Sequence, residues 1–93
     1  MSTTYRPIGK GIRFDSLRER LEPQGVEFDG TAQGTTDDAF PMCFAGNWLW
    51  VHRHGKQGTT FVRYGANNPV PLLDLLENTF DVEIIPEHDD RQP

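Results

Sequence analysis

The chain has little of what most recognisable chemistry requires. One cysteine, Cys43, stands among 93 residues. No internal disulfide can form, and such a chain is expected in a reducing compartment, the cytoplasm by default. Long hydrophobic runs are lacking too. The longest apolar patch, residues 70–76, is broken by Pro71 and Asp74 and cannot span a bilayer, so no membrane association is expected. The first ten residues have no apolar stretch of the kind a signal peptide carries. Cations are also scarce: nine Lys and Arg face 14 Asp and Glu, a net charge of −5. Nucleic-acid binding draws much of its affinity from cations that neutralise phosphates, so this balance argues against a nucleic-acid partner.

Catalytic and ligand-binding motifs are missing as well. Gly9-Lys10-Gly11 lacks the wider glycine spacing and the following Ser or Thr of a phosphate loop. Asp37-Asp38 and Asp89-Asp90 do not follow a calcium-loop pattern and read as solvating pairs. Cys43 lies between Met42 and Phe44, which suggests a buried, inert thiol. Ser16 reads as a helix cap rather than a nucleophile. No catalytic residue, cofactor-binding residue or metal ligand is therefore assigned, and no cofactor is expected.

What is present suffices for one core. With 35% hydrophobic and 11% aromatic residues, the chain reads as a single domain over 1–93. Residues 1–10 and 87–93 are read as flexible ends. The charge is uneven: residues 1–26 carry +2 and residues 69–93 carry −6. Two solvated faces explain this more simply than attraction between head and tail.

Periodicity predicts the elements. A helix begins at Asp15 or Ser16, carries Leu17 and Leu21 on one face, and ends at Pro23 and Gly25. Val26 to Phe28 alternate as a short strand with Val26 and Phe28 inward. Residues 29–38, DGTAQGTTDD, form a long polar loop. Phe40 to Phe44 is a candidate strand, with Pro41 placing it at an edge or a strand start, and Gly46-Asn47 suits the turn after it. Residues 48–54 and 59–64 predict an antiparallel hairpin joined by Gly55 to Gly58. A second helix opens with a proline in its first turn and carries an apolar stripe that places Leu73, Leu76 and Phe80 in the core, with Glu77 outside. Asp81 to Ile85 is a last strand. The expected fold is α+β: a small antiparallel sheet centred on the 48–64 hairpin, with two helices packed mainly on one face.

The hairpin carries the candidate chemistry. Alternation puts Trp48, Trp50, His52 and His54 on one face and Leu49, Val51 and Arg53 on the other. Under a helix the tryptophans are ordinary core; uncovered, they are a binding surface. Arg53, on the Leu49 and Val51 side, tips the expectation toward the tryptophan face as core. The functional expectation is a non-enzymatic protein-interaction or regulatory module, acting on a protein partner or by self-association. Its candidate interaction residues are Trp48, Trp50, Phe61 and Tyr64, beside the 29–38 loop. The alternative is a small enzyme or metal-binding protein using His52, His54 and Cys43, with His88 beyond the last strand. Convergence of these groups in one pocket would favour that alternative.

Overall fold

Two β-branched and aromatic runs build the middle of the molecule. In the computed structural model, which describes residues 2–55 and 58–87, Asn47–Arg53 and Thr59–Tyr64 are antiparallel strands in the register Trp50–Val62, Val51–Phe61, His52–Thr60 and Arg53–Thr59. This is the expected hairpin; its connection closes with the His54 N–H on the Gly58 carbonyl at 2.8 Å. Among the described residues the elements are β1 (Ser2–Ile8), α1 (Leu17–Leu21), β2 (Glu27–Phe28), β3 (Ala39–Phe44), β4 (Asn47–Arg53), β5 (Thr59–Tyr64), α2 (Val70–Phe80) and β6 (Glu83–Pro86). The strands form one antiparallel sheet in the order β2-β3-β4-β5-β1-β6. The fold is α+β, as the sequence pattern predicts.

β3 and β4 are joined by a two-residue turn, Ala45-Gly46, both residues at positive φ (54° and 78°). The turn therefore lies one residue earlier than Gly46-Asn47, and Asn47 opens β4 opposite Phe44. Two left-handed residues match the twist of a tight hairpin. Pro41 sits inside β3 rather than at its start, but β2 pairs only with Met42 and Cys43, so little of the ladder on that side is asked of the proline.

The N-terminal segment corrects the expectation of a loose end. Ser2–Ile8 is a strand held between β5 and β6, pairing Thr4 with Val62 and Arg6 with Ile85. Its threonines and Pro7 look loop-like alone, but Thr and Tyr suit a pleated surface once two edges are offered to it. The strand fills the gap in a β5-α2-β6 unit. Arg6 reaches Glu87 and Lys10 reaches Asp81, each at 3.8 Å and exposed. Cations of the head thus meet acids of the tail within the chain, at a contribution of about 0–1 kcal/mol each. Of the C-terminal end read as flexible, Glu87 donates its N–H to the Thr4 carbonyl at 2.8 Å; residues 88–93 lie outside the described residues, and with them His88.

Helix α1 is short and flanked by 3-10 turns at Phe14–Ser16 and Glu22–Gln24. Gly25, at φ 95°, supplies the left-handed stop. Ser16 holds the N-cap position without a side-chain bond. In α2, Pro71 lies in the first turn, the Asn68 side-chain oxygen accepts the Val70 N–H at 3.1 Å, and Asp81 ends the helix at φ 54°. Glu77, expected to be outside, turns back to accept the Ile84 N–H at 2.8 Å and so starts β6.

Leu17, Leu21, Leu72 and Leu76 are fully buried in one cluster with Phe40, Met42, Leu49, Val51, Phe61 and Ile84. Strand register places those sheet residues on a single side, so both helices bury their stripes against it. In α2 the innermost positions are Leu72 and Leu76, whereas Leu73, Leu75 and Phe80 pack around the margin. Of the expected Leu73, Leu76 and Phe80 set, Leu76 is fully buried and Leu73 and Phe80 pack against the core, while Leu72 takes the second innermost place. Leu76→Ala should cost about 2–5 kcal/mol in urea unfolding, and Leu72→Ala as much. Both should exceed Leu73→Ala. Removing residues 2–8 should abolish cooperative thermal unfolding monitored by circular dichroism, because it leaves β6 unpaired and opens one edge of β5.

Candidate interaction face

The same register that buries Leu49 and Val51 turns the neighbouring residues of β4 away from the helices. Trp48, Trp50 and His52 share the opposite side of the sheet with Pro41 and Cys43 of β3, Thr60, Val62 and Tyr64 of β5, and Thr4 and Arg6 of β1. The expectation that the tryptophan face is the core is therefore reversed. Arg53 does not oppose this, because it ends the strand. Its guanidinium lies over the Phe14 ring at 5.6 Å and meets Asp38 at 3.6 Å and Asp15 at 3.9 Å. A cation at the core margin is accommodated by an aromatic face and nearby acids.

The aromatic groups of this face meet one another across β4 and β5. Trp48 stacks on Tyr64 with ring centroids 6.4 Å apart, and Trp50 meets Tyr64 edge-on at 6.3 Å. Trp50 also lies 6.3 Å from His52. Pro41 and Val62 are buried beneath this layer although no helix covers them, while Tyr64 is 41% exposed. Large aromatic side chains set beside small neighbours bury much area and leave a partly exposed surface.

Two loops hold this layer. Beyond Tyr64 the chain leaves the sheet, and Asn67 takes over the pairing of Trp48: its side-chain oxygen accepts the Trp48 N–H at 3.0 Å and its amide donates to the Trp48 carbonyl. Asn67 was missed in the sequence, where Ala66-Asn67-Asn68 reads only as loop; nothing local shows that one amide would replace a ladder residue. At the other side the 29–38 loop packs beside Trp50. Gly34, at φ 93°, lies against it: a Cβ there would sit in ordinary contact with the Trp50 ring at 3.6 Å, and the positive φ is what favours glycine. Within the loop Asp29 accepts the Thr31 hydroxyl and N–H at 2.7 and 2.9 Å. Those bonds hold its carboxyl below the usual range. The long polar segment is thus a folded turn set against the aromatic layer.

Three of the four candidate interaction residues come together: Trp48, Trp50 and Tyr64. Phe61 does not. It is fully buried on the helix side, opposite Val51, because it alternates with Thr60 and Val62. Of the groups named for the enzyme or metal alternative, His52 and His54 line one trough, but Cys43 does not join them. Cys43 pairs with Trp48 and His52 with Ala39, four residues apart along the ladder, or about 13 Å. His54 bonds Thr60 through Nε2 at 2.7 Å. Cys43 is half-buried rather than sealed in the core; burial, then Asp29 and Glu27, push its thiol up and keep it protonated. Among the described residues no helix is long and apolar enough to cross a membrane.

Beside the aromatic ridge, an open trough of about 650 Å³ runs over Thr4, Thr60 and Val62, between Tyr64 and the His52–His54 end and below Arg6. His52 is half-buried, and its Nε2 has no protein partner. Burial, and then the neighbouring His54, lower its pKa from the ordinary 6.5. The unfolded chain therefore takes up a proton at higher pH than the folded one. Stability from neutral His52 is present above the unfolded value and is lost as pH falls below it. Urea unfolding should show stability declining as pH drops from neutrality through 6.5, and His52→Gln should flatten that decline. An equal decline in the variant would assign it to other groups. Comparison of the chain with protein-family models, curated proteins and solved structures gives no match.

Proposed function

We propose that this chain is a non-enzymatic protein-interaction module whose partner docks on the aromatic face of the sheet. The reading rests on one observation. Nine face positions of β3, β4 and β5 (Ala39, Pro41, Cys43, Trp48, Trp50, His52, Thr60, Val62 and Tyr64) include no Asp, Glu, Lys or Arg, in a chain that is 25% charged. The centres of protein interfaces are depleted of charge and enriched in Trp and Tyr, with polar groups at the rim. The rim here is supplied by the 29–38 loop on one side and by Arg6 and Glu87 on the other. A nucleic acid is disfavoured because Arg6, the cation of β1 on this face, already lies 3.8 Å from Glu87, and the phosphates would find little else to neutralise them. The lone protonated thiol suits a reducing, cytoplasmic setting.

The test uses two surfaces. A partner is captured on the wild-type chain, purified and titrated by calorimetry against Tyr64→Ala on the aromatic face and Val70→Asp on the outer side of α2, where Val70 is 53% exposed. Tyr64→Ala should weaken binding by about tenfold or more, the loss expected for an interface anchor, while the thermal midpoint stays close to wild type. Val70→Asp should bind normally. The reverse pattern would place the docking surface on the helices and refute the assignment.

A further inference from the structure

We infer that the occupant of the aromatic face is the same face of a second copy of this chain, the two sheets packing back to back in a symmetric dimer. The inference rests on the interaction reading and names the partner. An isologous contact places a patch against itself, so a patch with formal charge at its centre repels its mate. The centre of this one carries none across three strands. Its shape is also self-complementary. The ridge formed by Trp48 and Trp50 lies on β4, and the trough over Thr60 and Val62 lies on the adjacent β5. A two-fold axis parallel to the strands, near the β4–β5 boundary, places the ridge of each copy over the trough of the other. Strand register then brings Trp50 level with Val62 of the second copy and Trp48 level with its Tyr64.

The area agrees with such a contact. Six strands of two to seven residues, about 4.8 Å apart, present roughly 500 Å² of projected face per copy. The pair buries about 1,000 Å², at the lower bound for a specific interface, so the dimer is reversible and concentration-dependent. Packing sheet on sheet would also give each copy the second layer that the helices provide only on the other side. The sheet edges are poorly suited to association. β2 has two residues, and β6 has four and ends in Pro86, and short or proline-bearing edges block strand addition.

Sedimentation equilibrium of the purified chain tests this, alongside Thr60→Lys in the floor of the trough and Tyr64→Lys at its wall. The wild type should move from chain mass toward twice chain mass as concentration rises. Each variant should raise the dimer dissociation constant about tenfold or more, by burying an unpaired lysine charge opposite His52 or Trp48 of the second copy, with thermal midpoints confirming that the monomers remain folded. Tyr64→Lys serves if Thr60→Lys loses stability with its bond to His54. A wild type that stays at chain mass throughout, or folded variants that dimerise as the wild type does, would overturn the inference. If the wild type is monomeric yet loses a different protein partner on Tyr64→Ala, the second-copy inference fails and the interaction module stands. If Tyr64→Ala loses no partner either, both fail.

Discussion

Burial of Leu17, Leu21, Leu72 and Leu76 against Phe40, Met42, Leu49, Val51 and Phe61 is the contact from which the other features of this domain follow. Two short helices supply enough apolar surface to cover one side of a six-stranded sheet and no more. A domain of this size buries only about 60–65% of its unfolded surface, so its second sheet face must be closed cheaply. Here it is closed by the face's own large side chains. Trp48, Trp50 and Tyr64 lie beside the buried Pro41 and Val62, and the layer that completes the fold carries no charged residue on β3, β4 or β5.

That economy explains the surrounding details. β1 closes the gap between β5 and β6 and contributes Thr4 and Arg6 beside the aromatic ridge. Asn67 substitutes a side-chain amide for the ladder partner that Trp48 would otherwise lack. Gly34 allows the 29–38 loop to lie against Trp50. Each of these contacts reaches the aromatic strand or its neighbours from a different part of the chain. A surface made of few rotatable bonds, held by hydrogen bonds at its margins, loses little conformational entropy when a partner covers it. His52 places a weakly basic group in that surface, with its charged form disfavoured by burial.

The hairpin, both helices, the short strand after α1 and the last strand were legible in the sequence, because each is written in local periodicity and punctuated by Gly or Pro. The stripe of α2 was legible only to within one position. Leu72, Leu73, Leu75 and Leu76 are equally apolar, and the choice among them depends on how the helix is rotated against β3 and β4. β1 was not legible. It is interrupted by Pro7 and followed at once by Gly9, and it is a strand because β5 and β6 present unpaired edges on both sides of it.

The sequence by itself determined which residues of one strand share a face: the two-residue period put Trp48, Trp50 and His52 on one side of β4 and Leu49 and Val51 on the other whatever the fold. Only the tertiary structure decided which face is inside. One strand offers two apolar sides, and the choice between them is collective. Leu49 and Val51 line up with Phe40, Met42 and Phe61, while the tryptophans line up with Thr60, Thr4 and Cys43. The helices cover the side whose summed apolar area across the strands is continuous, because burial free energy scales with area removed from water and not with the size of any one side chain.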